Sequence, residues 1–164
     1  MAARKLQSIQ KIPASQEAVW KLFSNPESLK LITPDNMGFK VLSIQTTETV
    51  YPGQIIEYRV SPLFGIPLYW KTEIIEVKEK EYFIDEQRKG PYRLWRHEHY
   101  FRAIEGGVEM RDIVHYENPY GIIGKWANTL LVRKKLRRIF EYRYRKVEEI
   151  FGKWEGQEPE ICIG

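Results

Sequence analysis

Residues 124–151 read GKWANTLLVRKKLRRIFEYRYRKVEEIF, a run with neither proline nor glycine after its first position. Trp126, Leu130, Leu136, Ile139, Phe140, Val147, Ile150 and Phe151 recur in it at three- and four-residue steps. That spacing predicts one long amphipathic helix, about 42 Å at 1.5 Å per residue. Gly152 is placed to end it. A stripe of that length must be buried, and only a broad sheet is large enough to receive it.

The sheet is legible upstream. Phe39 to Gln45, Gln54 to Ser61, Leu68 to Lys78, Tyr82 to Arg88, Tyr92 to Ile104 and Val108 to Glu117 alternate apolar with polar residues or are rich in β-branched and aromatic ones. Turn signals separate several of them: Tyr51-Pro52-Gly53, Lys89-Gly90-Pro91 and Glu105-Gly106-Gly107. Six successive strands with short connections predict an antiparallel meander. Ahead of them, Lys5 to Ile12 reads as a short strand. Ser15 is a helix N-cap with Glu17 in the first turn, followed at helical spacing by Ala18, Val19, Leu22 and Phe23. Asn25-Pro26-Glu27 repeats the start signal, which predicts a second short helix ending near Thr33-Pro34. The fold class is therefore α+β, a curved antiparallel sheet of about seven strands wrapped around a long C-terminal helix. Residues 1–152 form one domain and 153–164 a C-terminal tail, whose acidic stretch Glu155 to Gly164 is expected to be loosely held.

This order of elements, over about residues 5–152, resembles the helix-grip fold of the START-like superfamily, also called SRPBCC or Bet v 1-like. The stretch Gly90-Pro91-Tyr92-Arg93-Leu94-Trp95-Arg96-His97-Glu98-His99-Tyr100-Phe101, then Gly106-Gly107, Asp112, Tyr116 and Pro119-Tyr120-Gly121, is similar to the bacterial SRPBCC branch labelled polyketide cyclase or cell-division-inhibitor-like. The resemblance implies a cavity between sheet and helix for an apolar ligand, gated by loops near the helix. Members of the superfamily differ widely in what they bind or process, so it implies no single activity.

Composition agrees with a folded, cavity-forming domain. The 164 residues are 43% hydrophobic and 13% aromatic, with five Trp, ten Tyr and seven Phe. This excludes a disordered chain and supplies side chains to line a cavity as well as fill a core. The single cysteine, Cys162, excludes an intrachain disulfide and a Cys-rich metal site. With no apolar run of roughly 18 residues and no apolar segment at the start, a cytoplasmic protein is expected. The 26 basic and 22 acidic residues leave a net charge of +4, mild for a nucleic-acid binder.

Strand periodicity nominates site residues. Trp95, His97, His99 and Phe101 share one face of their strand; Val108, Met110, Asp112, Val114 and Tyr116 share one face of the next. Phe83, Asp85 and Gln87 do the same in a third. Asp112 is the one acid on an apolar face, and a buried acid needs a partner, for which a histidine on the neighbouring strand is suited. The expected cavity wall comprises Trp70, Phe83, Asp85, Trp95, His97, His99, Phe101, Met110, Asp112 and Val114 from the sheet, closed by Trp126, Leu130 and Phe140 from the helix. A purely structural polar network and a ligand-facing site both fit these residues. A catalytic reading makes His97 or His99, oriented by Asp112, a proton carrier.

His97-Glu98-His99 also places two histidines at the i, i+2 spacing of a metal chelate, but no third ligand is evident: Glu105 follows at an odd spacing and His115 lies on the face opposite Asp112. No metal and no cofactor is expected. Two apolar connections, Ser61 to Pro67 and Pro119 to Gly124, are either satellite core or a gate formed by Phe64, Ile66, Tyr120, Ile122 and Ile123. Arg133, Lys134, Lys135, Arg137, Arg138, Arg143, Arg145 and Lys146 form a solvated basic face or one that docks on anionic lipid. No phosphate-binding glycine loop, dinucleotide fingerprint, nucleophile elbow or nucleophilic cysteine is present, and no nucleic-acid partner is expected.

The leading function is binding of a small hydrophobic or amphipathic ligand, such as a lipid, isoprenoid or polyketide-like molecule. The alternatives are a cyclase or dehydratase using the His-Asp pair, and a membrane-surface or protein-interaction module acting through the basic helix, linked by the family label to cell division.

Overall fold

The computed structural model describes residues 3–44, 49–61, 65–118 and 125–164, with Ile44 and 125–129 as backbone. Strand β1 (Arg4–Ile12) leads into helix α1 (Gln16–Ser24), whose N-cap Ser15 accepts a hydrogen bond from the Ala18 N–H at 3.2 Å. Asn25 caps the next element in the same way, its Oδ1 accepting from the Glu27 N–H at 3.0 Å. That element is a five-residue 3₁₀ turn, Pro26–Lys30, followed by a second, Asp35–Met37, where a short α-helix was expected. The start signal is genuine, but five residues are too few to establish an α-helical ladder.

Strands β2 (Lys40–Ile44), β3 (Ile55–Val60), β4 (Leu68–Lys78), β5 (Tyr82–Lys89), β6 (Leu94–Ile104) and β7 (Gly107–Glu117) follow, then helix α2 (Lys125–Phe151) and a last strand β8 (Glu160–Ile163). Among the described residues they form one antiparallel sheet in the order β2-β3-β4-β5-β6-β7-β1-β8. The β6–β7 hairpin keeps an unbroken register from Leu94↔Glu117 to Ile104↔Gly107, so side-chain alternation is preserved along both strands. Strand β4 carries irregularities against β5 beside Thr72 and beyond Ile74, yet Trp70, Thr72 and Ile74 all stay buried.

The sheet wraps α2, which presents Val132, Leu136, Phe140, Tyr144 and Val147 inward, each buried. Burying one such side chain is worth about 1.5–3 kcal/mol, whereas an exposed i, i+3 pair such as Lys146–Glu149 adds a few tenths, so apolar burial holds the helix on the sheet. Gly152 ends α2 at φ +98°, its N–H donating to the Glu148 carbonyl at 2.8 Å. No helix among the described residues is long and apolar enough to cross a membrane.

The tail departs from expectation. Leu6, Gln7, Ser8 and Ile9 of β1 pair with Ile163, Cys162, Ile161 and Glu160, making β8 an eighth strand. Ile161 is buried against Leu6, Val114, Tyr116 and Leu136, and Arg133 donates to the Ile163 carbonyl. Gln157 bridges the Lys11 N–H, at 2.7 Å, and the Tyr144 hydroxyl, at 2.6 Å. Without the tail, β1 would present a row of unpaired backbone groups at the sheet edge; a four-residue strand supplies partners and a blunter edge.

Candidate functional site

Strand β6 lies between β5 and β7, and period two turns His97 and His99 inward together. Cross-strand pairing sets Asp85 opposite His97 and Asp112 opposite His99, so two carboxylates flank two imidazoles. The hydrogen bonds run diagonally. His97 Nε2 donates to Asp112 Oδ1 at 2.9 Å, and His99 Nε2 donates to Asp85 Oδ2 at 3.0 Å. His99 Nδ1 also lies 3.0 Å from Asp112 Oδ1, at an angle too oblique for a full hydrogen bond. The two imidazole centroids are 3.7 Å apart, and Phe83 stacks on His99 at 4.1 Å.

Environment divides the protonation states. Burial favours neutral imidazole at both positions. At His97 the neighbouring His99 charge adds to it, and the pKa falls to about 4 despite the Asp112 hydrogen bond. At His99 burial is outweighed by two carboxylates, which raise the pKa above the ordinary histidine value. Burial alone would raise Asp112, but the hydrogen bond from His97 and the close approach of His99 hold its carboxyl far below the usual carboxylate range. The two histidines are therefore shifted in opposite directions, His97 toward the neutral imidazole and His99 toward the charged form, beside an Asp112 held ionised. With Nε2 donating to Asp112, the tautomer assigned to His97 leaves Nδ1 as the unprotonated nitrogen.

This network forms one wall of a cavity of about 140 Å³ enclosed by α2, the inner faces of β3 to β6 and the two 3₁₀ turns. Phe23, Ile32, Ile56, Ile74, Phe83 and Ile139 are among its apolar lining, and Tyr58, Thr72, Asp85, His97, His99 and Arg143 among its polar side. Tyr58 Oη lies 3.3 Å from Thr72 Oγ1, and burial keeps the phenol un-ionised by raising its pKa. Buried polar atoms on the wall without a hydrogen-bond partner include Trp70 Nε1 and Arg143 Nε and Nη1.

Of the residues expected at the site, Trp70, Phe83, Asp85, Trp95, His97, His99 and Phe140 line this cavity. Asp112 stands behind the histidines. Phe101, Met110 and Val114 are not on the wall; they pack into the apolar clusters on either side. Leu130, expected to close the pocket, is 54% exposed, because it falls off the inward stripe of α2. Ile66, expected at a gate, is exposed. Phe64, Tyr120, Ile122, Ile123 and the Trp126 side chain lie outside the described residues. Gln87 clamps the β5–β6 connection, donating to the Tyr92 carbonyl at 2.6 Å.

The largest correction concerns Arg143, placed by its charge on the solvated face of the helix. It faces the cavity, its Cζ 5.0 Å from the Phe140 ring centre. The signal was positional: Arg143 lies at i+7 from Leu136 and i+3 from Phe140, on the buried stripe. Lys134, Arg137 and Arg138 are exposed.

Asp85, His97 and His99 each offer a ligand atom within 4.8 Å of the others. The third ligand that the β6 sequence lacks is thus supplied by β5, and a two-histidine, one-carboxylate set suits several first-row divalent ions. In this arrangement Asp85 pairs with His99 and His97 with Asp112, so an ion would have to displace those hydrogen bonds.

No family model and no curated protein matches the chain by sequence. Its likeness is to solved structures. Protein Ms6760 from Mycobacterium smegmatis superposes with a TM-score of 0.64 at 15% identity, over 89% of both chains. Ara h 8.0201 gives a TM-score of 0.58 at 15% identity, over 88% of this chain and 97% of that one. Major latex-like protein 151 from Panax ginseng gives 0.64 at 12% identity, over 92% and 99%. At these identities the likeness establishes architecture: the chain has the Bet v 1-like helix-grip fold.

Proposed function

We propose that the protein binds a small amphipathic ligand in the cavity between α2 and the sheet. The observation that carries this reading is the wall itself, apolar over most of its area and polar at one cluster, the combination by which ligand pockets fix both affinity and orientation. A core selected only for packing would close 140 Å³ rather than keep two histidines, a carboxylate and a guanidinium around it. Lipid, isoprenoid and polyketide-like molecules all fit that description, with selectivity set by cavity shape. Native mass spectrometry of freshly purified protein, followed by organic extraction, tests the proposal. A released molecule of defined mass is expected. Apoprotein that also fails to take up any hydrophobic fluorescent probe would sink it.

The His97–Asp112 arrangement favours a second reading, proton transfer on the bound molecule. A neutral imidazole on the cavity wall, oriented by a buried carboxylate through its other nitrogen, meets the geometric needs of a general base. For a dehydration, in which His97 removes a proton as hydroxide leaves as water, the molecule recovered from His97→Gln protein is heavier by one water than that released by the wild type, because the unconverted precursor accumulates. Identical contents in the two proteins count against it.

A further inference from the structure

Arg143 is the cation in this cavity without a counter-ion of its own. Its side chain is 13% exposed, and Nε and Nη1 are both buried and unpartnered. The nearest carboxylate oxygen, Asp112 Oδ1, is 3.8 Å from Nη1, and that same atom lies 2.9 Å from His97 Nε2 and 3.0 Å from His99 Nδ1. The other carboxylate, Asp85, is engaged by His99 at 3.0 Å. Among the described residues, Arg143 Nε, Arg143 Nη1 and Trp70 Nε1 are thus buried donors on this wall that no acceptor reaches. Buried polar atoms are nearly always paired, and buried charges more strictly so. What Arg143 lacks among the described residues is an anion in hydrogen-bond contact.

We propose that the ligand is a monocarboxylic acid whose carboxylate pairs with Arg143 while its apolar body lies against Phe23, Ile56, Ile74, Phe83 and Leu136. The inference rests on the ligand-binding reading above and gives that ligand its chemical class. Guanidinium donors match the planar geometry of a carboxylate, and pairing away from water makes the interaction selective against a neutral head. The cavity of about 140 Å³ has room beside Arg143 for a ring or a stretch of chain, a volume close to the 150 Å³ or so that holds one benzene ring in an apolar site. The stacked rings around the wall suit a flat body.

Binding of matched acid and alcohol pairs decides the case: phenylacetate with 2-phenylethanol, 3-phenylpropionate with 3-phenylpropan-1-ol, and octanoate with octan-1-ol. Each is titrated at pH 7 into the full chain, read by calorimetry and by emission of the tryptophans, two of which line the cavity. At least one acid is expected to bind about tenfold or more tighter than its alcohol. Arg143→Met should bring that ratio to about one while leaving alcohol affinity in place, and Arg143→Lys should retain part of it. Alcohols bound as tightly as acids by the wild type, or a ratio unchanged in Arg143→Met, would overturn the inference and leave the ligand-binding reading intact. Binding of neither member of any pair would overturn both. The wild-type ratio is decisive even if Arg143→Met does not fold.

Discussion

Replacing Asp112 by asparagine is the sharpest probe of the buried network, because the two side chains have nearly the same volume and differ mainly in charge. Asp112 accepts from His97 at 2.9 Å, lies 3.0 Å from His99 and is the carboxylate within 3.8 Å of Arg143. Removing one partner from a buried charge cluster costs about 3–5 kcal/mol, since the remaining cations keep their desolvation cost and lose what offset it. Asparagine keeps one acceptor oxygen, which argues for the lower end, about 3 kcal/mol. For a domain of this size that corresponds to a fall in Tm of about 6–12 °C.

The sign with pH follows from two opposite shifts. The Asp112 carboxyl is lowered by folding from its ordinary value of 3.8, so its contribution is present above that pH and fades as pH falls below it. His99 is raised from 6.5, so its contribution is present below 6.5 and fades as pH rises past its folded value. The gap between wild type and Asp112→Asn should therefore be widest between about pH 4 and 6.5. Urea unfolding of both proteins across pH 4–9 measures it. A gap under about 1 kcal/mol in that window, or one that widens toward alkaline pH, would refute the charge assignment.

Three other outcomes are expected. His97, with its pKa lowered to about 4, should keep the nitrogen chemical shifts of a neutral imidazole from pH 8 to 5 in an NMR titration. The shift from 6.5 converts, at 1.36 kcal/mol per pH unit, to about 3 kcal/mol of stability lost as pH falls from 6.5 through 4, a loss that His97→Gln should lack. Ile161→Ala should cost about 2–4 kcal/mol and speed hydrogen exchange of the β1 amides that face β8; exchange unaltered there would mean the tail is not held as described. Gly107→Ala should cost about 3 kcal/mol or more, because its Cβ would overlap the Ile12 carbonyl. Gly53→Ala, in open space at φ +85°, should cost only about 1–2 kcal/mol, and the reverse order in chemical denaturation would contradict the packing.

Much of the site was legible because it rests on a local rule. Alternation along β6 and β7 turned His97, His99 and Asp112 to one side, and no bulge intervened to reverse it. Asp85 was placed correctly by the same period, but its pairing with His99 rather than with the directly opposed His97 is diagonal, and no strand pattern announces a diagonal. Arg143 was misread for a different reason. Residue type was allowed to outweigh helical position, although a long side chain can sit on a buried stripe when a cavity receives its head. Strand β8 was missed because four residues after an acidic, proline-containing tail carry too little periodicity to stand out.

What the amino-acid order determined by itself was the succession of elements and the inward face of each, since caps, breakers and periodicity act over a few neighbouring residues. From these, a sheet gripping a helix followed as the one arrangement able to bury the α2 stripe. Tertiary structure alone decided which groups meet across that space: β1 seated between β7 and the returning tail, two carboxylates brought around two histidines, and a guanidinium turned into the interior beside them. It also decided that the described aromatic side chains leave a cavity rather than fill it. Pairings of that kind depend on side chains far apart in the chain and on the volume left between them, quantities that no local pattern encodes.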